Sequence, residues 1–192
     1  MYVSQENRAS HADASALAPA RHPQTVVLMH TSASTPANAK VLRILVPINA
    51  NHDSHWGVRY ALGRHREGKQ VEVILLNIGQ PINQGEAVEF RAQQEIDQFQ
   101  LERAQPFIEK ATKPLAAENI PCRCLFKQGD VVFSILDTAE ELECDEIVMP
   151  EPEKGLTSIF SRDIVYAVML QQRDVPIVAV NSDGMPPKSS RK

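Results

Sequence analysis

The chain has 192 residues, 43% hydrophobic and 23% charged, with a formal net charge of −4. This fits one globular domain with some chain to spare, and a core built on roughly 140 residues needs neither disulfides nor metals. The negative balance excludes a general binder of nucleic acid or anionic membranes, and no apolar run approaches the roughly 18 residues of a membrane span.

Residues 1–40 are rich in Ala, Ser, Thr and Pro, and only Val26, Val27, Leu28 and Met29 form an apolar patch. That patch is too short for a signal-peptide core, and Glu6 and Asp13 weigh against a transit peptide. A flexible tail is expected, its TVVLMH run either idle or pairing onto the body. From residue 41 the pattern becomes regular. VLRILVPI (41–48) is a short continuous Val/Ile/Leu run, which predicts a buried strand. Asp53 or Ser54 offers a helix N-cap, Val58, Ala61, Leu62 and His65 recur at helical spacing, and Gly68 stops the helix. VEVILLNI (71–78) is the second strand.

Residues 86–118 form a long polar helical stretch, with Ile96 and Phe99 and then Phe107, Ala111 and Leu115 on its buried face. Pro106 should kink or divide it, because proline removes an internal hydrogen bond. PCRCLFKQ (121–128) is the third strand. Gly129 and Asp130 read as a turn and a helix cap, ahead of a face of Val132, Ile135, Leu136, Ala139 and Leu142. EIVMP (146–150) is the fourth strand. A helix with Ile164, Val165, Val168 and Met169 leads to PIVAVN (176–181), the fifth. Five strands alternating with helices predict a single α/β domain: an open five-stranded parallel sheet with right-handed crossovers and helices on both faces. Residues 41–182 are its extent, and 183–192, basic and proline-containing, read as a flexible C-terminal tail.

Cys122, Cys124 and Cys144 form no CxxC pair. Cys122 and Cys124 alternate along a strand and face the same side; zinc wants four ligands, so buried free thiols in a reducing cytoplasm are expected. His52, Asp53 and His55 could hold a metal through one helical turn, but two His without further partners read better as a solvated helix start. No metal site is expected. The chain has no GxSxG elbow, no HExxH and no Walker lysine after a long glycine loop, so no enzymatic activity is expected. In open α/β sheets, ligands sit beyond the carboxyl ends of strands where the strand order reverses. NANHDS after the first strand and PEPEKGLTS after the fourth are the candidate loops.

Taken together, ILVPINANHDSHWGVRYAL, FKQGDVVFSILDTAEELECDEIVMP and the ending VPIVAV resemble the universal stress protein family over roughly residues 41–181. The resemblance implies an adenine-nucleotide α-hydrolase-like sheet and a regulatory, stress-linked role rather than a catalytic one. It also implies a homodimer paired through the last strand, Pro176 to Val180. Members that bind ATP carry Asp at the position of Asn49. They also carry Gly, two residues, Gly, nine residues, then Gly with Ser or Thr. Those positions hold Pro150, Glu153, Asp163 and Ile164 here, and a register using Gly155 and Ser161 breaks the spacing. The nucleotide-site positions implied are thus vestigial: Pro47, Ile48, Asn49, Ile78, Met149, Pro150, Glu153, Gly155, Ser161, Asp163 and Ile164. Ser161 reads as the cap of the last helix, with Lys154 and Arg162 as local partners of Glu151, Glu153 and Asp163.

The expectation is a non-catalytic regulatory homodimer in the cytoplasm, its nucleotide binding weakened or lost, with no cofactor. The alternative is an ATP-binding switch or slow ATPase using ATP with Mg²⁺, and a third reading is an interaction scaffold whose tail recruits an unknown protein partner.

Overall fold

A computed structural model describes residues 26–31, 40–49, 54–79, 90–151 and 162–187. In chain order the elements are β1 (Val26–Thr31), β2 (Leu42–Ile48), α1 (Ser54–Arg66), β3 (Val71–Gly79), α2 (Phe90–Ala117), β4 (Cys122–Gln128), α3 (Val131–Glu141), β5 (Glu146–Pro150), α4 (Arg162–Leu170) and β6 (Ile177–Val180). They build one six-stranded sheet of order β1-β4-β3-β2-β5-β6. The five strands predicted from residue 41 onward all run parallel, as expected. The sixth strand is an addition: β1 pairs antiparallel with β4, so of the two readings of TVVLMH the structure takes the pairing one.

The period of two along each strand splits the core into two layers. Ile44, Val46, Ile48, Val73, Leu75 and Val148 pack under α1 and α2 with Val58, Ala61, Ile108 and Leu115. Leu45, Ile74, Leu76, Ile147 and Met149 meet Ile135, Leu136, Val165 and Val168 of α3 and α4 on the other face. Cys122 and Cys124 share the α1/α2 face and all three cysteines are buried and free. Burial pushes the Cys144 thiol up to about 12, so it holds its proton at neutral pH.

At Pro106 the sequence allowed either a kink or a division of α2. Pro106 does not divide the helix, which runs unbroken from Phe90 to Ala117 through Pro106 and Pro114. Each internal proline costs roughly 3 kcal/mol. Pro106 lies on the exposed side, while Ala104, Ile108, Ala111 and Leu115 are at most 3% exposed on the other. Burying Ile108 and Leu115 contributes about 1.5–3 kcal/mol apiece, which offsets much of this cost.

Turn chemistry closes the elements. Gly68 takes φ +85° after α1 and donates to the His65 carbonyl at 2.9 Å. Asp130 caps α3, its carboxylate accepting the Phe133 N–H at 2.8 Å. Beyond β6, the Asn181 side chain accepts the N–H groups of Asp183 and Met185, both at 3.0 Å. This turn sets Gly184, at φ +76°, against α1, where a Cβ would lie 2.6 Å from the Tyr60 nitrogen. Arg59 donates to the Ser182 carbonyl across the same contact. Residues 183–185, the front of the segment read as a C-terminal tail, are therefore held in a turn against the body.

Charge gathers at the amino ends of the strands. Glu72 accepts from Arg43 and pairs with Arg123, at 3.0 Å each. Arg43 also donates to the Leu142 carbonyl at 2.8 Å, and its backbone N–H reaches Asp145 at 2.9 Å. Burial disfavours the Asp145 carboxylate, but the Arg43 N–H and the Lys40 ammonium outweigh it and hold its pKa below the usual range.

Candidate functional site

The chain passes from β2 to β3 and β4 on one side, then returns to place β5 and β6 on the other. The strand order therefore reverses between β2 and β5, and the crevice beyond their carboxyl ends is the expected ligand position of such a sheet. Its described floor is the end of β2, the end of β5 and the first turn of α4.

Pro47 and Ile48 end β2 as buried residues, opposite Leu76 and Asn77 in the ladder. Asn49 follows, half-buried. Met149 is fully buried in the α3/α4 layer, and Pro150 is buried opposite Val180. Ile78 and Ile164 pack at the margin of that same layer, so both act as core side chains. Asp163 is exposed in the first turn of α4, where a carboxylate suits the positive end of the helix dipole. Glu153, Gly155 and Ser161 lie outside the described residues, as do Lys154, His52 and Asp53. The structure thus brings Asn49, Pro150 and Asp163 to the carboxyl end of the sheet.

The backbone there is short of donors. Proline has no N–H, so Pro150 and Pro152 offer none. The Glu151 N–H between them donates to the Val180 carbonyl at 2.7 Å, extending the β5–β6 ladder. Three consecutive residues leaving β5 therefore have no backbone hydrogen to give an anion. The neighbouring rim turn is likewise engaged: Gly129 donates to the Gly79 carbonyl at 3.3 Å, and Asp130 occupies the α3 N-terminus.

Two polar residues escaped the sequence reading. Asn77 is 8% exposed and donates through Nδ2 to the Ile48 carbonyl at 3.0 Å, fastening β3 to the last residue of β2. A signal existed, since Val71, Val73, Leu75 and Asn77 share one face and only the last is polar. Lys127 is 2% exposed on the opposite face, its ammonium 2.8 Å from Glu141 and 3.3 Å from Asp137 of α3. Among the described residues no group of three or more His, Cys, Asp or Glu could hold a metal ion. Nor is any helix among them long and apolar enough to cross a membrane.

The profile of the Universal stress protein family matches residues 40–181. The chain belongs to that family. A search of curated protein sequences finds no match. Among solved structures, the universal stress protein UspA from Lactobacillus plantarum superposes with a TM-score of 0.60 at 15% identity, covering 74% of this chain and 99% of that one. A universal stress protein family member from Burkholderia pseudomallei gives 0.55 at 13% identity, over 72% and 95%. A universal stress protein in complex with cAMP gives 0.51 at 14% identity, over 73% and 96%. At these identities the likeness is one of fold.

Proposed function

We propose that the protein is a regulatory, non-catalytic universal stress protein of the cytoplasm, a homodimer paired through β6, in which the ancestral nucleotide site is weakened or lost. The observation that carries this reading is the donor-poor segment leaving β5. A phosphate needs closely approaching backbone N–H groups. Pro150, Glu151 and Pro152 supply none. Glu151 and Asp163 are exposed at the same end of the sheet and disfavour an anion. Two like charges about 4 Å apart repel by roughly 1 kcal/mol in water and about 4 kcal/mol at an effective dielectric of 20. A net penalty of about 3 kcal/mol weakens binding on the order of a hundredfold.

Because a family member of the same fold is in complex with cAMP, adenine nucleotides are the ligands to test. Isothermal titration of the purified protein with ATP and Mg²⁺, and separately with cAMP, is expected to show no saturable binding tighter than about millimolar. Saturable micromolar heat would assign the alternative, an ATP-binding switch whose Mg²⁺ bridges the carboxylates and the phosphates. Support for the dimer comes from the edge position of β6, whose Ile177, Val178 and Ala179 are only half-buried. Val178→Lys is expected to reduce the solution mass to that of the monomer.

A further inference from the structure

The matched family region begins at residue 40, so β1 is an element added in front of it. Its position has a physical consequence. Without β1, β4 would end the sheet, and its Cys122, Cys124, Leu125 and Phe126 are all buried hydrophobics. A seven-residue strand with a free row of N–H and C=O groups is a strong template for another strand. The opposite edge, β6, is only four residues long. β1 covers β4 from Cys122 to Phe126, and its own register shifts between Val27 and Met29. Such an irregularity breaks the ladder and makes the new outer edge a poor template in turn.

Geometry favours covering the edge from within the same chain. Thr31 lies opposite Cys122, and Cys122 opposite Val73, near the end of the sheet where β2 begins. From β1 to β2 the chain crosses three strand spacings of about 4.8 Å, or about 14 Å. The ten residues between Thr31 and Leu42 reach about 33 Å when extended. A tether of that length holds β1 at an effective concentration near millimolar, above any competing edge present at micromolar levels.

We propose that β1 is an intramolecular cap on an assembly interface: when it is released, the β4 edge pairs with the β4 edge of a second copy. Two identical edges related by a twofold axis pair antiparallel, the direction β1 itself takes against β4. The inference goes beyond the dimer through β6 and is read separately from it. Its measure is the mass of a variant relative to the unaltered chain, whatever that chain's own state.

The test uses the full chain carrying Val27→Pro and Met29→Pro, at positions opposite Leu125 and Cys124. Proline cannot donate to the ladder, so β1 should leave β4. At micromolar concentration, light scattering is expected to show a mass about twofold or more above the unaltered chain. At nanomolar dilution, amide exchange from Arg123 to Phe126 should quicken while β2 and β3 stay protected. A synthetic peptide spanning residues 25–32, added in trans, should return the mass to that of the unaltered chain. An unchanged mass overturns the proposal, and so does a rise that the peptide does not reverse. Should the double variant lose protection in β2 and β3, Val27→Pro alone is read by the same criteria.

Discussion

At the amino ends of the strands, Glu72 lies 3.0 Å from both Arg43 and Arg123, and Asp145 takes Lys40 and the Arg43 N–H. At the carboxyl end, Glu151 and Asp163 are exposed and make no ion pair with another described residue. The same residue types thus serve two purposes in one sheet. Acids in the first group link neighbouring strands, Glu72 of β3 bridging Arg43 of β2 and Arg123 of β4. Acids in the second group have no such partner among the described residues.

The largest effect that could break this contrast is at Glu72. Its removal leaves two guanidinium groups facing each other, each about a third exposed. We expect Glu72→Ala to cost about 2–3 kcal/mol in urea unfolding, below the value for a fully buried pair. A loss under about 0.5 kcal/mol would mean that the amino-end network is no more structural than ordinary surface charge.

The double variant Glu151→Gln and Asp163→Asn addresses the other end. Its stability should stay within about 0.5 kcal/mol of the parent, as for surface substitutions generally. Its ATP affinity should rise by about tenfold, equivalent to about 1.4 kcal/mol. Equal affinity in both proteins would show that missing backbone donors, rather than charge, close the site.

Smaller effects appear with pH. The Asp145 pKa is lowered in the fold, so its contribution is present above the unfolded value of about 4 and lost as pH falls through the folded value. Asp145→Asn should flatten the acid limb of a stability profile, and an unchanged limb would count against the Lys40 and Arg43 contacts. Tyr60 behaves in the opposite sense. Burial, followed by its 2.8 Å hydrogen bond to Glu146, pushes it up to about 12. Its contribution is complete below the unfolded value of about 10 and disappears as pH rises through about 12. Melting curves of Tyr60→Phe over that window should fall less steeply than those of the parent.

Much of the fold was legible because its elements obey one period each. The β2 and β3 runs, the α3 face of Ile135, Leu136 and Ala139, and the Asp130 cap were all read from spacing and local chemistry. Features set by a distant partner were not. Nothing within TVVLMH states that β4 ends the sheet beside it. The polarity around Pro106 gave no measure of how firmly Ala104, Ile108 and Leu115 are buried. SDGMPP has the composition of a tail, and the hydrogen bonds of Asn181 together with the α1 backbone beside Gly184 make it a folded turn. Lys127 would ordinarily be placed on the surface; its burial depends on two carboxylates that α3 brings over it. At the candidate site, Asn49, Pro150 and Asp163 could be located by spacing, whereas the use of the Glu151 N–H by Val180 required knowing that β6 lies beside β5.

The fit of Gly184 against α1 also governs how the chain yields to digestion from its end. A carboxypeptidase needs several residues of extended, accessible backbone, and residues from Asn181 to Met185 are instead closed by four hydrogen bonds of their own. Digestion from the carboxyl side would therefore slow at this turn, leaving a protected core that retains it. To go further the enzyme must wait for Gly184 to lift from Tyr60, and the digestion rate past that point would clock the release of the turn from α1.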